Sequence, residues 1–460
     1  MFASRNASFP AVLELTNLDR PTASSSAALV PVLLTLAYVG AQIGLFSIHE
    51  PWHDEAQAWL KARDLATLYD ALFIPGEGHP PLWYWLLRGL SYVVTFDQAR
   101  MLMLAVAALN AWLLARLFGD RPILLALLLC SLPILHTWGF HFRPYPLILS
   151  CVLGALLLAR VRRFHAATWL MALTCGFSFL GGFLFGFWLL WRLHRGTPIV
   201  QLLAPALIAG LFGASAILSS LGNHDAGFQT GSLISAVIET MALPFAIPEV
   251  PAFIIVPIAA VLIGISLRHS PFALVAVAVL LLLFGLFGAT VYGMREWHAA
   301  FGLMLVIMAV TVTRGPIWPL ALLLLAQDYW GVKKAVQEIR FPASADEMGY
   351  RAVLADAGDR LVATNLVAWP DYVLTPSAAR YGFQFVSGNN GRVVRSIDLR
   401  SRRHGDMSRQ VFAESPSPYW LVCFQCEDPL ALIRSAGRQA TELMPPTEAQ
   451  AGTLAAYRID

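Results

Sequence analysis

The sequence predicts an all-α polytopic membrane protein with a small α/β domain at its C-terminal end, and three observations predict it. Of 460 residues, 57% are hydrophobic and only 13% charged, with a mean hydropathy of +0.61; a soluble domain carries roughly a quarter charged residues. Apolar runs approaching the ~20 residues that cross a bilayer recur from residue 27 to about 330. Residues 331–460 then change character, with Asp, Asn, Gly and Arg throughout. The net charge of +3, spread over scattered Lys and Arg, is too small to suggest a nucleic-acid partner, and none is expected. Cys130, Cys151 and Cys175 lie in apolar runs and read as small core residues.

Residues 1–26 are polar and read as a cytoplasmic segment, carrying Arg5, Glu14, Asp19 and Arg20. The apolar run 27–47 is long enough to span, and lies too far from the start and is too long for a signal-peptide core, so it is expected to be a retained first span. Further apolar runs occupy 99–118, 122–140, 144–160, 166–179, 181–193, 199–218, 252–267, 272–292, 298–313 and 316–330. The 166–193 stretch, broken at Gly181 and Gly182, reads as a tight hairpin or one long helix. The run 82–96 reaches about 22 Å as a helix, short of the ~30 Å hydrocarbon core. It holds Arg88 and opens on Trp83, Tyr84 and Trp85, so it is expected to lie in the membrane surface as a half-helix.

That choice lets the positive-inside rule sort every loop. Arg116, Arg121, Arg160, Arg162, Arg163, Arg192, Arg195, Arg268 and Arg314 fall on the cytoplasmic side. Loops 48–98, 141–143, 219–251 and 293–297, and everything after about 331, fall outside. The expectation is about eleven full spans over 27–330, with the N-terminus in and the C-terminus out. In 331–460, strands are expected at 360–364 and 419–423 and helices at 344–357 and 428–437. Six arginines between Arg392 and Arg409 face only Asp398 and Asp406, and suit either a solvated basic face or anionic headgroups. Cys423 and Cys426 are too few for a tetrahedral zinc site by themselves; whether they pair is left open.

Polar residues concentrate in the first outer loop, as His49-Glu-Pro-Trp52-His53-Asp54-Glu55 and, further on, His79-Pro80-Pro81-Leu-Trp83-Tyr. Such groups are costly at a bilayer edge unless used. Asp54 and Glu55 are adjacent, so on a helix their side chains diverge by about 100° and one alone can face a given substrate. Asp54 with Gln57 three residues on also fits a capping box. His49, His53, Asp54 and Glu55 offer ligands for a divalent metal, although their spacing matches no zinc pattern. Asn223, His224 and Asp225 form a further polar cluster to which no role is assigned.

A first span, an outer loop with Asp-Glu-Ala, and His-Pro-Pro-Leu-Trp-Tyr at a membrane-edge helix together resemble the GT-C glycosyltransferase superfamily, nearest to the protein O-mannosyltransferase and aminoarabinose-transferase-like enzymes. The resemblance covers 28–330 and is strongest across 48–90. Arg143-Pro-Tyr145 and Arg295-Glu-Trp-His298 are further matching patches. The tail matches nothing in that superfamily. The resemblance implies a polyprenyl-phosphate-sugar donor, an acceptor that is a glycan, lipid or protein, and a place in a bacterial inner membrane. It implies Asp54 as catalytic base and Glu55 as its acidic partner. His79, Arg143, Tyr145, Arg295 and His298 fall near the donor phosphate. His79 departs from the lysine common in the aminoarabinose type. No cofactor is assigned; a divalent metal stays open because members of the superfamily differ.

The chemistry of the residues agrees. A hydroxyl acceptor needs a carboxylate to remove its proton as it attacks the anomeric carbon. A departing lipid phosphate needs fixed cations, and Arg stays charged and binds phosphate bidentately. His53, Trp52 and Trp83 are weaker candidates for contacts to sugar or acceptor; as interface anchors the tryptophans need no such role. Two other readings compete. A transporter would place charges near the midplane and show paired repeats, whereas this chain keeps charges at span ends and shows no repeat. A non-catalytic envelope assembly protein would tolerate loss of Asp54.

Overall fold

A computed structural model describes residues 25–49, 51–74, 79–220, 232–246, 250–291, 294–340, 345–360, 366–369, 375–381, 395–396, 417–424, 428–449 and 452–460. The N-terminal segment, the Asn223–Asp225 cluster and most of the Arg392–Arg409 stretch lie outside these residues.

The chain is predominantly helical up to Ala357. α1 (Ser25–Ile48) leads to α2 (His53–Arg63), α3 (Pro81–Ser91) and α4 (Phe96–Phe118). α5 (Pro122–Cys130), α6 (Tyr145–Arg160), α7 (Phe164–Phe177), α8 (Gly181–His194) and α9 (Ile199–Ser220) follow. Next come α10 (Leu233–Ala242), α11 (Ala252–Leu267), α12 (Pro271–Thr290), α13 (Glu296–Thr313) and α14 (Trp318–Arg340). Four stretches among the described residues are long and apolar enough to cross a membrane: Leu29–Ile48, Phe96–Phe118, Ile199–Ser219 and Pro271–Thr290. Exposed Leu29, Leu33, Leu36, Leu207, Leu211, Val275 and Leu282 on these helices fit a lipid-facing surface. About eleven spans were expected; of the remaining apolar helices, Tyr145–Arg160, Phe164–Phe177, Leu233–Phe245, Ala252–Leu267 and Trp297–Thr313 are shorter.

Proline and glycine explain the shortening. The run 122–140 is not one helix: α5 stops at Cys130 and the chain makes a wide turn over Pro133–Thr137, because Pro133 lacks the N–H a helix needs. Carbonyls freed in the apolar interior must find donors. Tyr38 Oη donates to the Ile134 carbonyl at 2.7 Å and Gln42 Nε2 to that of Leu135 at 2.8 Å, both from α1. A Cβ on Gly139 would collide with Gln42, so only glycine lets α1 approach there. Between α7 and α8 the chain breaks at Ser178–Leu180, which settles 166–193 as a hairpin. The half-helix expected over 82–96 is α3, ending at Ser91.

Polar clamps join the helices, as is needed where lipid gives no hydrophobic drive. Asn110 Nδ2 on α4 donates to the Pro146 carbonyl on α6 at 2.9 Å, and Ser150 Oγ donates to Asn110 Oδ1 at 2.7 Å. Gln327 on α14 donates to the Pro244 carbonyl at 2.9 Å. Expected to end near 330, α14 instead runs to Arg340, across the boundary placed between membrane part and tail. Gly331 lets it lie against the backbone at Cys130 and Leu132, where any side chain would clash.

The tail carries α15 (Ala345–Ala357), α16 (Thr375–Tyr381) and α17 (Pro429–Ser435) with β1 (Leu366–Trp369), β2 (Arg395–Ser396), β3 (Tyr419–Phe424), β4 (Ala440–Ala449) and β5 (Gly452–Ile459). The sheet order is β2-β1-β3-β5-β4; β1 runs parallel to β2 and β3, and β5 antiparallel to β3 and β4. Alternation along β3 divides the packing. Trp420 and Val422 meet Tyr350 and Val353 of α15, while Tyr419, Leu421 and Cys423 meet Ile433 of α17. Gly358–Arg360 is a 3₁₀ turn and β1 covers Leu366–Trp369; residues 361–364 of the strand expected at 360–364 lie outside the described residues. Cys423 is disulfide-bonded; Cys426 lies outside the described residues. Ala379 of α16 packs into the core around α2 and α3, and Arg380 Nε sits 3.3 Å from Asp97 Oδ1 on α4.

Candidate functional site

Two helices carry a functional candidate at one end and an arginine at the other, Tyr145 and Arg160 on α6 and His298 and the C-capping Arg314 on α13, and α4 likewise ends near Arg116. The arginine ends lie together. Arg160 Nη2 donates to the Leu117 carbonyl at the end of α4, and Arg121, Pro122, Gly315 and Ala321 line one open groove. The opposite ends hold the candidates.

Asp54 lies in the first turn of α2, whose N-cap is Trp52. The capping-box reading is therefore corrected: the helix begins before Asp54, and no side chain caps it. The carboxylate instead sits in the positive end of the helix dipole, 30% exposed, with Oδ2 3.4 Å from Arg143 Nη1. Arg143 is presented by the bend that leads into α6 and is only 10% exposed at its side chain. Its Nη2 donates to His79 Nε2 at 3.5 Å, and its guanidinium lies 5.6 Å from the Tyr145 ring centre. His79 immediately precedes Pro80 and α3, which opens on Pro81. The ring of Tyr145 stacks on Trp138 at 5.7 Å and meets His298 edge-on at 6.2 Å. The Arg295 backbone N–H donates to His298 Nδ1 at 3.1 Å, closing the start of α13. His79, Arg143, Asp54 and Arg295 all lie close enough to act on the charge of His298. Residues from four separated stretches thus converge.

Glu55 goes elsewhere. One residue on from Asp54, it points inward with no exposed side chain, so of the acidic pair Asp54 alone reaches the open side of the site. Its Oε1 accepts from His49 Nε2 at 3.1 Å and from His141 Nδ1 at 2.9 Å. Its Oε2 is 3.8 Å from Arg100 Nε. His49 Nδ1 reaches Glu338 Oε2 at 3.3 Å, and His136 Nε2 reaches Glu338 Oε1 at 3.2 Å. Arg100 Nη2 also donates to the His49 carbonyl at 2.9 Å. Burial opposes charge throughout this network. On His49 the fields and hydrogen bonds of Glu55 and Glu338 together outweigh burial and raise its pKa to about 9. Burial likewise works against the Glu55 charge, yet His49 and the hydrogen bonds from His141 and His49 hold its pKa well below the usual carboxylate range. Burial and the neighbouring His49 charge push His141 down to about 3, so it is neutral.

Trp83 is 1% exposed and packs edge-on against Phe142 at 5.4 Å; it cannot stack on a sugar, which corrects its candidacy. Tyr145 is equally buried, so it supports Arg143 from beneath. Trp52 is half-buried, 4.4 Å from the His141 ring and 5.6 Å from Trp297. Arg295 is exposed. The side chain of His53 lies outside what is described. Sequence reasoning missed His136, His141 and Glu338. The signal was present in His136-Thr-Trp-Gly-Phe-His141, five residues apart and just before Arg143; Glu338 is one of two acids on a long helix, ten residues from Asp328, and gives no such sign.

No family model, no curated protein and no solved structure matches this chain.

Proposed function

We propose that the protein is a membrane glycosyltransferase that moves a sugar from a polyprenyl-phosphate carrier to a hydroxyl acceptor, with Asp54 as general base. The observation that carries this reading is the Asp54–Arg143 pair, with His79 and His298 beside it, at one end of a bundle of apolar helices. In the absence of donor, Arg143 neutralises Asp54. A lipid phosphate has more charge to offer a guanidinium than one carboxylate, so Arg143 turns to it and Asp54 is released to accept the acceptor's proton. The base is thereby freed when a donor is bound. His79 and Arg295 add cationic or hydrogen-bonding reach to the departing phosphate.

The fold proposed is of GT-C type with about eleven crossings, in which the 122–140 run and the helices α6, α7, α8, α11, α13 and α14 cross the bilayer together with the four full-length ones. The positive-inside rule puts the arginine ends in the cytoplasm and Asp54 outside. Single cysteines at 54, 143 and 295 are expected to react with an impermeant maleimide from the outer face, and one at Arg162 only after permeabilisation. Labelling of 54 and 143 from opposite faces contradicts the site.

To test function, membranes containing the protein are supplied with radiolabelled polyprenyl-phosphate hexoses or with the matching nucleotide sugars, in the absence of enzymes that interconvert them. Label is expected to pass to an acceptor from the lipid-linked donors and not from the nucleotide sugars. Transfer from nucleotide sugars alone contradicts the proposal.

A further inference from the structure

We propose that His49, His141 and Glu338 form a buried binding site for a divalent transition metal of the zinc class, behind the face that carries Asp54. One ligand atom from each of the three lies within 4.8 Å of the others, and all three residues are buried. They come from the end of α1, the bend before α6 and the end of α14, which sequence alone does not bring together. Two imidazoles and one carboxylate make a donor set that suits zinc and, as three protein ligands, leaves a fourth position open.

The surroundings are those of a supported metal site. A metal-bound histidine donates its other ring N–H to a carboxylate, which fixes tautomer and orientation. Glu55 Oε1 receives both His49 Nε2 and His141 Nδ1, and this leaves His49 Nδ1 and His141 Nε2 for an ion. His141 Nε2 is buried and has no hydrogen-bond partner among the described residues. Glu338 Oε2 stands 3.3 Å from His49 Nδ1, a separation that an ion shared between them requires. His136 Nε2 holds the other Glu338 oxygen at 3.2 Å. With bonds of about 2.0–2.1 Å, tetrahedral ligand atoms lie roughly 3.4 Å apart, so a pair at the 4.8 Å limit closes by about 1.4 Å when the ion enters. The ion would tie α1, α14 and the His141–Arg143 bend into one unit, and so positions Arg143 two residues from a ligand. Its competitor for the same atoms is a proton bridging His49 and the carboxylates.

The test uses the full-length protein in detergent and reads metal rather than sugar transfer, so it stands or falls separately from the function proposed above. The protein is stripped with chelator, incubated with Zn²⁺ or Co²⁺, desalted and assayed for metal. One equivalent is expected in wild type and in Asp54→Asn, with Co²⁺ giving the intense visible bands of a four-coordinate site. His141→Ala and Glu338→Gln are expected to retain less than about a tenth as much, in line with loss of a ligand. Zn²⁺ is expected to raise the melting temperature of the wild type and not of His141→Ala. Should the variants not fold, the wild-type stoichiometry and Co²⁺ spectrum decide. No retained metal in wild type, an octahedral Co²⁺ spectrum, or equal retention in folded variants overturns the proposal and leaves the network proton-bridged.

Discussion

Asp54→Asn is expected to lower sugar transfer from a polyprenyl-phosphate donor by at least about a hundredfold, the low end of what a positioned general base contributes. The amide keeps the size of the side chain but cannot take a proton at neutral pH. Because Asp54 is partly exposed and meets Arg143 at the surface of the site, the substitution is expected to leave folding nearly unchanged and the melting temperature close to wild type. Donor affinity is expected to hold or rise, since Arg143 no longer has a carboxylate competing with phosphate for it. Kinetics with a lipid-linked donor, read as kcat and KM separately, check this. A kcat within threefold of wild type moves the base elsewhere.

Glu55→Ala is expected to have the opposite signature, with the loss falling on stability. Its carboxylate is fully buried and faces His49, His141 and Arg100. Removing it leaves the His49 and Arg100 charges short of a partner in a site that water does not reach. Breaking a buried pair from one side costs about 3–5 kcal/mol. The checks are the melting temperature in detergent and the yield of monodisperse protein, both of which should fall well below those of Asp54→Asn. Glu55→Gln is expected to recover part of the loss, because its amide oxygen still accepts from the histidines while the charge remains absent. Wild-type stability in Glu55→Ala contradicts the reading of this network as a lock between α1, α2, α4 and α14.

These two neighbours show what the sequence makes legible. Adjacency on a helix already separates Asp54 from Glu55, and the pairing of a first-loop acid with Arg143 follows from placing both at the same end of their spans. Composition and apolar runs mark a helical membrane protein with a mixed tail, and the β3 pattern Tyr-Trp-Leu-Val-Cys marks its central strand. Span length is less legible. Pro133 turns an apolar run into a short helix and a wide turn whose carbonyls are satisfied by Tyr38 and Gln42, nearly a hundred residues away. Hydropathy does not register such a break, because the turn is as apolar as the helix. The His49–Glu55–His141–Glu338 network was hidden for a related reason. Its members are far apart in the chain, and α14 was expected to end near 330, where its apolar run stops. Gly331 lets the helix continue packed against α5 and carry Glu338 inward.

The central claim is that Asp54, His79, Arg143 and His298 surround the place where a lipid-linked phosphate binds. A photoactivatable polyprenyl phosphate, cross-linked to the purified protein and mapped by mass spectrometry, tests it most directly. Cross-links are expected in the peptides that carry His79, Arg143–Tyr145 and Arg295–His298, competed by unmodified polyprenyl phosphate and weakened in Arg143→Ala. Cross-links confined to the tail or to the arginine-bearing ends of the helices, with those peptides unlabelled, contradict the account.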